Sequence, residues 1–167
     1  MQRIRSFQLE EEIKNYIRDV IKEPISFFIE QKLRKDIKRY VEKGEFEKVR
    51  EIMGKLSTEK RTPIAELVVE KCIKDADAES DIILLKNYGA EILKTTSLLS
   101  EPDKTNLLMK GLDEWFSLSK DDPTLWHSIH RILFAEILKS GLPEDKIAQV
   151  EEKINGIEKE FKIKTKN

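Results

Sequence analysis

One cysteine, Cys72, serves the whole chain of 167 residues, so no disulfide can form within it. A small secreted scaffold held by a cysteine framework is excluded, and the pattern suits a reducing compartment. Glycine (6 residues) and proline (5) are sparse and scattered. They spell no glycine-rich phosphate loop and no flexible linker. The longest run of purely aliphatic residues is "IILL", Ile82–Leu85, far below the ~20 apolar residues of a membrane span. The N-terminal "MQRIRSFQLEEEIKNYI" lacks the apolar stretch of a secretory signal. Net charge is −1, so no global field of one sign draws in nucleic acid or anionic lipid. These absences lead to the expectation of a cytoplasmic protein with no membrane association.

Charge itself is abundant. Charged residues make up 38% of the chain, against about 25% in ordinary domains. They are unevenly spread: residues 1–61 carry 16 Lys/Arg against 12 Asp/Glu, residues 62–140 carry 9 against 14, and residues 141–167 carry 6 of each. Apolar residues recur at helical spacing. Ile13, Ile17, Val20 and Ile21 form one stripe. Ile25, Phe28, Ile29, Leu33, Ile37, Tyr40 and Val41 form a second, and Phe46, Val49, Met53 and Leu56 a third. Intervals of three and four mark one face of a helix. No period-two segment or Asn-Gly hairpin signal competes, so the class is all-α.

All five prolines read as first-turn residues, where the missing N–H costs no helical hydrogen bond: Pro24, Pro63, Pro102, Pro123 and Pro143. Thr62 and Asp122 suit N-caps, and Gly141 suits a helix stop. Seven or eight helices follow, with candidates at about 8–22, 24–43, 45–56, 63–76, 80–98, 102–118, 123–140 and 143–163. Short connections make neighbours antiparallel, giving stacked helical hairpins in an α-solenoid-like or irregular bundle. One domain, 1–167, is expected, with its weakest point at 57–62.

Short segments recur. Glu51-Ile52-Met53, Glu91-Ile92-Leu93 and Glu136-Ile137-Leu138 are near copies, and Pro24, Pro63, Pro102 and Pro143 lie 39, 39 and 41 residues apart. A two-helix unit of about 40 residues is one reading; chance likeness in a non-repeating helical bundle is the other. "YVEKGEFEKVREIMGKL", Tyr40–Leu56, resembles the turn and second helix of a tetratricopeptide hairpin, with Tyr40, Gly44 and Phe46 at its aromatic, glycine and aromatic positions. The likeness covers about 30 residues. It departs at Val49, at Asp36–Ile37 and at the displaced Pro63. It implies a protein-interaction module.

Chemistry-bearing motifs are few. "WHSIHR" places His127 and His130 three apart on one helix face. That suits two metal ligands, but a zinc site needs a third, so a metal-dependent helical-bundle enzyme is kept as an alternative only. "DADAESD", Asp75–Asp81, has the alternating acids of a calcium loop, but Ser80 stands where the loop needs glycine and Lys86 where it needs glutamate. An acidic interhelix turn is the expectation. "QKLRKDIKRY" sets Lys32, Arg34, Lys35, Lys38 and Arg39 around Asp36. Nucleic-acid contact through this basic helix is a second alternative. Trp115, Phe116 and Trp126, with His127, His130 and Arg131, are aromatic and polar candidates for an interaction surface. Cys72 lies in a helix interior, in no nucleophile context. The reading is a non-catalytic adaptor or scaffold that binds a partner helix or peptide, without cofactor or bound metal, and possible as a homo-oligomer.

Overall fold

The structure is a computed structural model that describes residues 31–118 and 125–164. Seven helices and no strand occur among the described residues, so the chain is all-α. They are α1 (31–42), α2 (Phe46–Gly54), α3 (Thr58–Asp77), α4 (Ile82–Thr96), α5 (Asp103–Leu118), α6 (Leu125–Lys139) and α7 (Glu144–Lys164). The chain divides into two units, Met1–Arg39 and Tyr40–Asn167. The expected helix at 8–22, the start of that at 24–43, and both Pro24 and Pro123 lie outside the described residues.

Local chemistry explains most helix ends. Gly44 has φ +71°, the left-handed backbone that only glycine adopts without strain. Its N–H donates to the Val41 carbonyl (3.0 Å), and the Glu45 N–H donates to that of Tyr40 (2.9 Å). This pair of bonds closes α1 and lets the chain turn into α2. Asp81 caps α4, its Oδ1 accepting the Ile83 N–H at 2.7 Å. Pro102 and Pro143 stand immediately before α5 and α7, and their carbonyls accept the first helical N–H groups.

Pro63 departs from expectation. It lies inside α3, which starts five residues earlier at Thr58, with Ser57 as N-cap. Residues 58–62 are therefore helical. Their polar side chains are engaged elsewhere: Arg61 donates to the carbonyls of Leu56 (3.0 Å) and Leu98 (3.1 Å), and Thr62 donates to Asp103 (2.8 Å). Those tertiary bonds hold the extra turn despite the proline. Gly141 also departs: its φ is not positive. A Cβ there would sit 2.6 Å from Leu93 and 3.0 Å from Leu108, so lack of space, not turn conformation, calls for glycine.

Within the second unit helices pack on their chain neighbours and, in part, on second neighbours. α3 meets α4 and α5, and α4 meets α6. Thr62 reaches Asp103 and Glu66 reaches Lys110, so α3 and α5 run the same way. Gly89 faces Ile137 and Gly141 faces Leu93, so α4 and α6 do too. Arg50 pairs with Glu91 across α2–α4, and Lys153 with Asp113 across α5–α7. The result is two layers, α2–α4–α6 and α3–α5–α7. Between them lies a core that includes Val49, Met53, Val68, Ile73, Leu85, Ile92, Leu108, Leu112, Phe134, Leu138 and Val150. Each such side chain contributes about 1.5–3 kcal/mol by leaving water.

Candidate functional site

The two-layer arrangement brings the ends of four helices to one side of the second unit. The C-termini of α3 and α5 and the N-termini of α4 and α6 share that end, because alternate helices run the same way. Among the described residues, the large apolar side chains that remain exposed lie on α4, α5 and α6 toward that end: Ile83 (68%), Leu84 (42%), Leu118 (46%) and Ile129 (42%). Ile83 and Leu84 belong to the "IILL" run. Successive helical residues turn by about 100°, so four aliphatics in a row cannot all meet a one-sided core. Leu85 is fully buried and Ile82 half-buried, whereas Ile83 and Leu84 point to solvent.

An acidic corner borders them. α3 ends at Asp77, and Ala78–Asp81 lead into α4. Glu79 Oε1 accepts the N–H groups of Ser80 and Asp81, both at 2.9 Å, and Asp81 Oδ1 accepts that of Ile83. The backbone thus fixes two carboxylates beside Ile83. Asp75, on the last turns of α3, pairs with Lys71. Tyr88 has its phenol pushed above the usual range, first by burial and then by Asp75 and Glu79. Lys74 and Lys86 are the exposed cations nearest in sequence.

The sequence-predicted candidates are distributed differently. Trp115 is 3% exposed; its ring lies 4.4 Å from that of Phe134, and its Nε1–H donates to the Arg131 carbonyl at 3.1 Å. It joins α5 to α6 within the core. His130 and Arg131 are also buried. Phe116 is half-buried, with Lys153 Nζ 5.6 Å from its ring centre. The side chains of Trp126 and His127 lie outside the described residues. Among the described residues no three His, Cys, Asp or Glu side chains cluster as metal ligands. Cys72 is fully buried, and its thiol is pushed up to about 12, by burial first and then by Glu91 and Asp75.

In the first unit, Lys32, Arg34, Lys35, Lys38 and Arg39 are all exposed along α1, and Arg39 pairs with Asp36 at 2.9 Å. Between the basic residues, Leu33 is half-buried and Ile37 buried. The helix therefore presents charge without exposed aliphatic surface. Ile83, Leu84, Leu118 and Ile129 were not among the sequence candidates; the signal that marks two of them is the length of the "IILL" run. No helix among the described residues is long and apolar enough to cross a membrane. The chain matches no family model, no curated protein and no solved structure.

Proposed function

We propose that the protein is a non-catalytic helical interaction module, an adaptor or scaffold that holds a segment of a partner protein. The observation that carries this reading is the collection of Ile83, Leu84, Leu118 and Ile129, exposed, at one end of the second unit. Aliphatic side chains left in water favour a partner that covers them. The stacking of helices on their second neighbours supports the same reading, since such layers serve as platforms for partner segments. The near copies at Glu51–Met53, Glu91–Leu93 and Glu136–Leu138 fall on α2, α4 and α6, helices of one layer. Their burial differs: Met53 and Leu138 are buried at the third position, but Ile92 at the second. Chance likeness in a non-repeating bundle accounts for the copies with this differing burial, and a duplicated hairpin is the other reading; a cytoplasmic setting, where a lone buried thiol is at home, is part of the proposal.

The test is affinity capture from lysate of the source organism, with and without nuclease, using the wild-type chain and an Ile83→Ser, Ile129→Ser double variant. A stoichiometric protein partner that survives nuclease and is lost with the double variant is the expected result. A partner kept by the double variant removes this end from the proposal. A catch that disappears with nuclease favours the second reading, nucleic-acid contact through Lys32, Arg34, Lys35, Lys38 and Arg39, for which the exposed basic face of α1 is the observation.

A further inference from the structure

Resting on the interaction reading above, we infer that the α3–α4 corner takes a basic amphipathic segment of a partner protein. Its aliphatic residues lie on Ile83 and Leu84, and its Lys or Arg residues over Asp77, Glu79 and Asp81. Three features of the corner carry this. Ile83 is the most exposed large apolar residue among those described, so it supplies the anchor. Asp77 and Asp81 are exposed and Glu79 half-buried, so their charge reaches a ligand. Finally, Glu79 and Asp81 each use one oxygen, Oε1 and Oδ1, on backbone N–H groups of the turn. That holds the carboxylates in place before a partner arrives and lowers the ordering cost of binding.

Charge argues against the other occupants. A second copy docking by the same face would bring two sets of these acids together, which is repulsive. The chain's own basic α1 presents lysines, but over its described length no exposed aliphatic residue to set on Ile83. Nucleic acid and anionic lipid are repelled by the same carboxylates.

The experiment uses the full chain and two labelled synthetic peptides of about 18 residues, long enough to form a helix on a surface. Both carry the same leucine stripe; one has Lys and the other Glu on its polar face. Binding is read by fluorescence anisotropy. The Lys peptide is expected to bind about tenfold or more tightly than the Glu peptide, and to weaken as salt screens the corner. Ile83→Ser is expected to weaken the Lys peptide about tenfold, the effect of losing one buried aliphatic side chain. Asp77→Lys is expected to weaken the Lys peptide and to strengthen the Glu peptide. Both substitutions sit at exposed helix ends that tolerate the new residue, and unchanged circular dichroism confirms the fold. Equal affinity for the two peptides, or no effect of Asp77→Lys, overturns the charge selection. If Ile83→Ser then weakens both peptides alike, the interaction reading stands without it. No binding of either peptide overturns the inference, while the lysate capture decides the broader reading separately. Self-association that Ile83→Ser abolishes overturns it in favour of a second copy.

Discussion

Thr95 is a fully buried hydroxyl whose Oγ1 has no hydrogen-bond partner among the described residues. Its neighbour Thr96 donates to the Ile92 carbonyl at 2.9 Å. A buried polar group that gains no bond carries its desolvation cost uncompensated. Thr95→Val keeps the shape and removes the cost, so it is expected to raise stability by about 1 kcal/mol. The reading is a higher urea midpoint at unchanged slope; a lower midpoint would show that the hydroxyl is engaged. Cys72 provides a second residue-scale test. With its thiol raised to about 12 by burial, then by Glu91 and Asp75, almost no thiolate forms at neutral pH. Labelling by a thiol reagent is expected to proceed only as fast as the protein opens. Rapid stoichiometric labelling of the native chain would contradict the burial.

Helix pairs are held by a few close approaches. At Gly89 an added Cβ would lie 2.7 Å from Ile137 Cγ2 and 3.3 Å from its Cβ. A β-branched side chain in a helix has little rotamer freedom to yield. Gly89→Ala gains up to about 1 kcal/mol of helix propensity but overpacks the α4–α6 contact at about 1–3 kcal/mol, so net destabilisation is expected in thermal melts. Pairing it with Ile137→Ala should cost less than the sum of the two single changes; strict additivity would place the strain elsewhere. Across α2–α4, Glu91 accepts from Arg50 and from Lys94. Burial alone raises its carboxyl, but the hydrogen bonds from Arg50 and Lys94 outweigh it and leave the carboxyl below the usual range. A group depressed on folding stabilises above its unfolded value and loses that contribution as pH falls through its folded value. Glu91→Gln is therefore expected to destabilise by about 1 kcal/mol at neutral pH. Its unfolding curve should converge on that of wild type in acid, and a gap that persists there would contradict the linkage.

At the scale of the second unit, the extensive helix contacts among the described residues are with first or second neighbours in the chain. Such a stack is close to one-dimensional, and its stability is nearly a sum of local interfaces. Helix α7 packs on α6, burying Val150 and Ile154 and turning Glu151, Glu152, Lys153 and Lys159 to water. A chain ended after Ser140 loses the α6–α7 interface and the Lys153–Asp113 pair. It is expected to melt at lower temperature while its remaining helices keep their circular dichroism. Complete loss of helicity would mean that the unit folds only as a whole.

The helical class, the acidic turn after α3 and the charge on α1 were legible in the sequence, because each depends on residues within one or two helical turns of one another. A 3.6-residue period names a buried face wherever it occurs, and Asp81 caps α4 by reaching two residues along the chain. The start of α3 was not legible, because the turn before Pro63 is held by Leu98 and Asp103, some 37 to 41 residues away. The roles of Gly89 and Gly141 were hidden for the same reason: each is small because a side chain from another helix occupies the space. Trp115 and Ile83 show the limit most plainly. Both are large, apolar and helical, yet one is sealed beneath α6 and the other stands in water. Periodicity counts the apolar residues on a helix, but only the packing of second neighbours decides which of them a partner can reach.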